Sequence, residues 1–132
     1  DDLSRGLGDV YKRQDKKTFV VTRGIDQCAW IYPINEWNFI QNELKQLSSL
    51  SKTNRIFLRN HLRHANILKF DSQGRFVLPQ SLIDYSAIKK DVTIIGVLNK
   101  IEIWNPNLLR KIDQSDEIDD QSYEELSERV NI

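Results

Sequence analysis

Two stretches, "TFVVTRGIDQCAWIYPINEW" (Thr18–Trp37) and "VTIIGVLNKIEIWNPNLL" (Val92–Leu109), decide the architecture of this chain. Each consists of two runs of β-branched and aromatic residues around a short polar turn, the signature of a hairpin. Matching Val20 and Val21 with Ile94 and Ile95 gives an offset of 74. Matching Ile31 and Tyr32 with Ile103 and Trp104 gives 72, so the first turn is expected to be two residues longer. Pro33 and Pro106 close the second strand of each unit, because proline cannot donate to a ladder. Helix-permissive sequence follows both prolines, "INEWNFIQNELKQL" and "NPNLLRKI". The chain reads as an internal duplication of a small α+β unit.

The duplication predicts what stands upstream of each hairpin. Before the second lies "KFDSQGRFVLPQSLIDYSAIKKD", read as a strand, a turn, a short strand to Leu78 and a helix opening around Pro79 to Ser81. In the turn, Asp71 is expected to accept hydrogen bonds from backbone N–H groups two or three residues on. Gly74 supplies the backbone freedom for the return, and Arg75 leaves the turn from a rigid base. A guanidinium held in this way can fork onto guanine O6 and N7 or pair with phosphate, but it can equally well only solvate a hairpin end. The matching turn of the first unit would fall ahead of residue 1. In its place stands "DDLSRGLGDVYKRQ", which lacks both the turn pattern and strand alternation, so residues 1–14 are expected to be foreign or disordered. The remaining division is a remnant of the first repeat over 15–50, a connecting helix and second repeat over 51–112, and an acidic tail over 113–132. "SKTNRIFLRNHLRHANILKF" reads as that helix running into a strand, with Arg55, Arg59 and Arg63 recurring on one face.

Composition bounds the function. The 132 residues are 29% charged and 39% hydrophobic, and no apolar run approaches the roughly 20 residues a membrane helix needs. No membrane partner is expected. The nineteen bases balance the nineteen acids, but the sum hides an asymmetry. Residues 113–132 hold eight acids against Arg129, which leaves 18 bases against 11 acids in the rest. A basic body of this kind is compatible with a polyanionic partner. The tail, "DQSDEIDDQSYEELSERV", has few large apolar residues and is expected to be disordered or a frayed helix. The single Cys28 reads as a small buried residue in a reducing cytoplasm.

Catalysis finds no foothold: there is no phosphate-binding glycine loop and no nucleophile with a motif-level base. Neither an enzyme, nor a cofactor, nor a small-molecule substrate is expected. His61 and His64 stand three apart, but no cysteine or carboxylate cluster joins them at ligand spacing, so structural or surface roles are favoured over a metal. Trp30, Tyr32, Trp37 and Trp104 fit core or subunit packing better than base stacking. The arginine row on the connecting helix fits either a phosphate contact or a solvated or interface face.

The turn "DSQGR" followed by "FVLP", the phrase "FVVTRGID" leading to "IYPINEW", and "KIEIW" near the end together resemble the MraZ family over roughly Lys16 to Ile112. The resemblance implies duplicated AbrB-like swapped-hairpin β-barrel units with short helices, the first unit truncated. It implies a cytoplasmic, nucleoid-associated bacterial transcriptional regulator of the division and cell-wall gene cluster. Such a protein binds double-stranded DNA sequence-specifically at tandem upstream repeats and forms ring-like homo-oligomers. The family's Asp-x-x-x-Arg turn falls on Asp71 and Arg75; Lys69 and Gln73, beside it in this sequence, are candidate flanking DNA contacts. Only one of the two turns the family carries is present in this sequence. The alternative is an oligomeric protein-interaction module that has lost DNA binding.

Overall fold

The computed structural model describes residues 18–132, so the expectation for residues 1–14 lies outside the described residues. Five strands form one antiparallel sheet: β1 (Thr18–Arg23), β2 (Ala29–Pro33), β3 (Asn66–Lys69), β4 (Thr93–Val97) and β5 (Lys100–Trp104). Helices α1 (Ile34–Leu44) and α2 (Lys52–Arg63) separate β2 from β3. Helix α3 (Gln80–Tyr85) precedes β4, and α4 (Pro106–Ser115) and α5 (Asp120–Arg129) follow β5. The fold is α+β.

The strand order is β3-β1-β2-β5-β4. The first unit's hairpin therefore sits between two strands of the second unit, so the two repeats are not separate domains. At the join Ala29 faces Ile103, Trp30 faces Glu102 and Ile31 faces Ile101. Ala29 and Ile31 are the repeat equivalents of Ile101 and Ile103, so an approximate two-fold axis passes between Trp30 and Glu102. Glu102 accepts from Trp30 Nε1 at 3.0 Å and from Trp104 Nε1 at 2.9 Å, holding the two indoles across that axis.

The register corrects the alignment of the first strands. Val21 faces Ile31, and Ile94 faces Ile103, so Val21 is the counterpart of Ile94 at an offset of 73. The first turn is longer by one residue, not two. Side chains alternate faces along a strand, so only the shift of 73 keeps equivalent residues on the same side of the sheet.

Each face of the sheet buries its own cluster. On one, Phe19, Val21, Ala29, Ile31, Ile101 and Ile103 pack with Leu68, Phe70 and Leu82 of the second unit. On the other, Val20, Tyr32 and Trp37 lie with Trp30, Ile34, Ile40 and Ala65. Full burial of a valine, leucine, isoleucine or phenylalanine among them contributes about 1.5–3 kcal/mol. The aromatic residues are packed as expected: Tyr32 and Trp37 centroids are 5.9 Å apart, and Trp104 is buried.

One expectation meets a different outcome. Phe76 to Leu78 forms no ladder among the described residues, and Val77 is 84% exposed. Strand-forming residues need a hydrogen-bonded neighbouring strand, and none of the described strands pairs with this segment. Composition leaves the tail between disorder and a frayed helix, and the structure has α5 there, capped by Asp119, whose Oδ1 accepts from Ser122 N–H at 2.7 Å. Charge density argues against a packed core, yet capping and an amphipathic repeat still support a surface helix.

Candidate nucleic-acid interface

The turn from Asp71 to Arg75 is built on two aromatic residues. Phe70, which enters it, lies edge-on to Phe19 at 4.9 Å and to Phe76 at 5.0 Å, so both limbs of the turn are clamped to the core. Asp71 N–H donates to the Arg75 carbonyl at 2.9 Å, and Gly74 N–H donates to the Asp71 carbonyl at 3.0 Å. Gly74 has φ of 77°, a left-handed conformation that a side chain would strain.

The Asp71 carboxylate organises the rest. Its Oδ1 accepts from Gln73 N–H at 2.9 Å and from Arg75 N–H at 2.8 Å. Its Oδ2 accepts from Arg75 Nε at 2.9 Å. The carboxyl is held below its ordinary pKa, chiefly by the Arg75 backbone N–H, with the Arg75 side chain and the Gln73 N–H adding to it. The arginine is thus fixed at Nε, and its side chain is 71% exposed. Its two terminal NH2 groups carry no hydrogen bond among the described residues, which leaves the forked end of the guanidinium facing solvent.

Lys69, Asp71 and Arg75 line one open groove of about 580 Å³ with Ile67, Phe76 and Val77. Gln73 sits exposed at the tip of the turn, outside that lining. The other basic residues are arranged differently. Arg55 spends its Nη1 on the Ser49 and Leu50 carbonyls, and Arg63 Nη2 donates to Asn60. Arg23 lies over the Tyr85 ring at 4.1 Å.

The two histidines sit in different surroundings. His61 is buried, stacked on Phe57 at 5.6 Å, and burial pushes its pKa down. His64 sits half-buried past the helix end, its pKa lowered by desolvation and by the nearby Arg63 and Arg23 charges. Among the described residues no three His, Cys, Asp or Glu side chains are grouped to hold a metal. No described helix is long and apolar enough to cross a membrane. Cys28 is buried, its thiol pushed up to about 12 by burial and by the Glu102 and Asp26 charges.

Sequence reasoning missed Tyr85, Glu102 and Thr22. Tyr85 OH reaches the Gly24 and Asp26 carbonyls at 3.3 and 3.2 Å, tying α3 to the first hairpin loop. Thr22 Oγ1 donates to the His61 carbonyl at 2.6 Å. All three act across long sequence separations, for which no local pattern exists.

Fold and site together define a class: duplicated strand–helix–hairpin proteins whose units share one sheet and present an arginine on a pre-ordered turn. The family model described as "MraZ protein, putative antitoxin-like" matches twice, over residues 10–60 and 61–130, which establishes the repeat. The chain belongs to the MraZ family. It is 39% identical over 126 residues to a protein of Natranaerobius thermophilus named "Transcriptional regulator MraZ", covering 96% of this chain and 80% of that one. A protein of the same name from Clostridium botulinum strain Alaska E43 is 38% identical over 132 residues, with 99% and 90% covered. The Clostridium tetani protein of that name is 35% identical over 121 residues, with 92% and 82% covered.

Proposed function

We propose that this protein is a DNA-binding transcriptional regulator that presents the Asp71–Arg75 turn to the major groove of double-stranded DNA. The observation that carries the reading is the Arg75 guanidinium, immobilised at Nε by Asp71 and exposed at its forked end. A fork fixed before binding loses little freedom on contact, and it matches guanine O6 and N7. Lys69 flanks it with a second cation and Gln73 adds an amide at the tip; both are assigned as supporting contacts.

One such arginine per subunit reads too little sequence, because useful specificity needs several base contacts together with phosphate contacts. The protein therefore acts as a ring-like homo-oligomer on tandem repeats upstream of the division and cell-wall gene cluster, in the cytoplasm at the nucleoid. Its units are of the AbrB-like swapped-hairpin type, a reading supported by the interleaved strand order. It needs no cofactor and turns over no substrate.

The test is binding to a duplex carrying the tandem repeats upstream of the protein's own operon, set against a scrambled duplex at matched salt. Preference for the repeats, with affinity falling as salt rises, is expected. Equal affinity for both duplexes overturns sequence-specific recognition. Detectable oligomers with no affinity for any duplex at low salt favour an interaction module instead.

A further inference from the structure

The strand order leaves β3 and β4 at the two edges of the sheet. The β3 edge ends on Lys69 and faces the limb over residues 75–77 across the groove described above. The β4 edge is different. It reads Thr-Ile-Ile-Gly-Val between Val92 and Leu98, with neither a charge nor a proline, the devices that keep natural edges from pairing. Ile94 is 48% exposed, and Val92 and Leu98 are exposed on either side of it. Val21, the repeat counterpart of Ile94, faces Asn66 of β3, whereas the equivalent side of β4 has no partner strand among the described residues.

The hairpin fixes which backbone groups that edge offers. A two-residue loop, Leu98 and Asn99, joins β4 to β5, so Val97 and Lys100 are the hydrogen-bonded pair that closes it. Bonding alternates along a strand. Thr93, Ile95 and Val97 therefore spend their N–H and C=O groups on β5, and Ile94 and Gly96 turn theirs outward. A methyl group added to Gly96 would meet nothing within 4 Å, so the outer backbone there is bare. Leu98 has φ of 54°, where hairpin turns of this length take glycine, asparagine or aspartate, and it is wholly exposed. The strained residue packs against nothing in its own chain.

We infer that β4 pairs antiparallel with β4 of a second copy, about a two-fold axis at Ile95 that sets Ile94 of each copy opposite Gly96 of the other. The strand is self-complementary in this register. Both residues of the pair point their backbone groups outward, so they exchange N–H···O=C bonds, twice across the axis. The Ile94 side chain then covers the bare backbone at Gly96, and Leu98 comes beside Val92 of the second copy. Two sheets become one, and the only long edge without a charge disappears. The contact is isologous and closes on itself, so a ring needs a second, different contact. The inference rests on the self-association proposed above and gives it one interface; it does not involve the DNA-facing turn.

The experiment combines sedimentation of the full chain with amide hydrogen exchange over a range of concentrations. Self-association is expected, with the Ile94 and Gly96 amides gaining protection as concentration rises and those of Ile95 and Val97 protected throughout. Gly96→Pro removes an N–H that faces outward and so breaks no bond to β5. It is expected to raise the dissociation constant at least about tenfold while Ile95 and Val97 stay protected. Ile94→Lys, which puts a charge on the edge, is expected to do the same by another route. Unchanged mass in both variants overturns this interface and leaves self-association standing; a monomer at every concentration overturns both. Protection of Ile94 and Gly96 that does not depend on concentration means that the edge is covered within one chain, and overturns the pairing. Protection that rises at Ile67 and Lys69 together with Ile94 and Gly96 makes the contact one between β3 and β4, and overturns the two-fold.

Discussion

Arg75→Ala is the substitution on which the functional reading depends most directly. In the folded protein the guanidinium is held at 2.9 Å from Asp71 Oδ2 and exposes its two terminal NH2 groups. A bidentate base contact from such a fork is worth about 1–3 kcal/mol of discrimination. At 25 °C that corresponds to about 5-fold to about 150-fold in affinity for each subunit that reads the duplex. The assay is fluorescence anisotropy against tandem-repeat and scrambled duplexes at matched salt. Arg75→Ala is expected to lose affinity for the repeats by at least the lower figure and to keep most of its binding to scrambled sequence. Arg75→Lys is expected to lose the preference too, because an ammonium keeps the charge without the fork. Unchanged affinity for the repeats in Arg75→Ala refutes the assignment. Equal losses on both duplexes, with the salt slope reduced by about one, would instead make Arg75 a phosphate contact.

Three further outcomes test the supports of the site and core. The Asp71 carboxyl is held down by N–H groups that exist only in the folded turn, so its contribution is present above its unfolded pKa and disappears as pH falls through the lowered one. In an NMR titration the Gln73 and Arg75 amides are expected to shift with a midpoint below the ordinary aspartate value; a midpoint at or above it refutes the turn geometry. Cys28, pushed up to about 12, is expected to react with a thiol reagent at pH 8 at least about a hundredfold more slowly in the folded protein than in denaturant; equal rates refute its burial. Gly24→Ala places a methyl group 2.9 Å from both the carbonyl oxygen and Sγ of Cys28, and overpacking of this kind costs about 1–3 kcal/mol. Urea denaturation reads that cost, and an unchanged midpoint refutes the close approach.

The amino-acid sequence by itself determined the local pieces: two hairpins with their prolines, the helix entering β3, and the turn in which Asp71, Gly74 and Arg75 have distinct tasks. Each depends on residues within a few positions of one another, where propensity, proline geometry and side-chain-to-backbone bonds act directly. Membership in a duplicated family was also legible, because separated motifs recur in order. Tertiary structure alone decided the rest. Seating the first hairpin between β3 and β5 depends on which edges find partners, and no spacing in the chain encodes that choice. Pairing across the sheet changed the repeat offset from 74 to 73, because alternation lets only one register bury Phe19, Val21 and Leu82 together. It made Glu102 the acceptor for two indoles and left Phe76 to Leu78 without a ladder partner among the described residues.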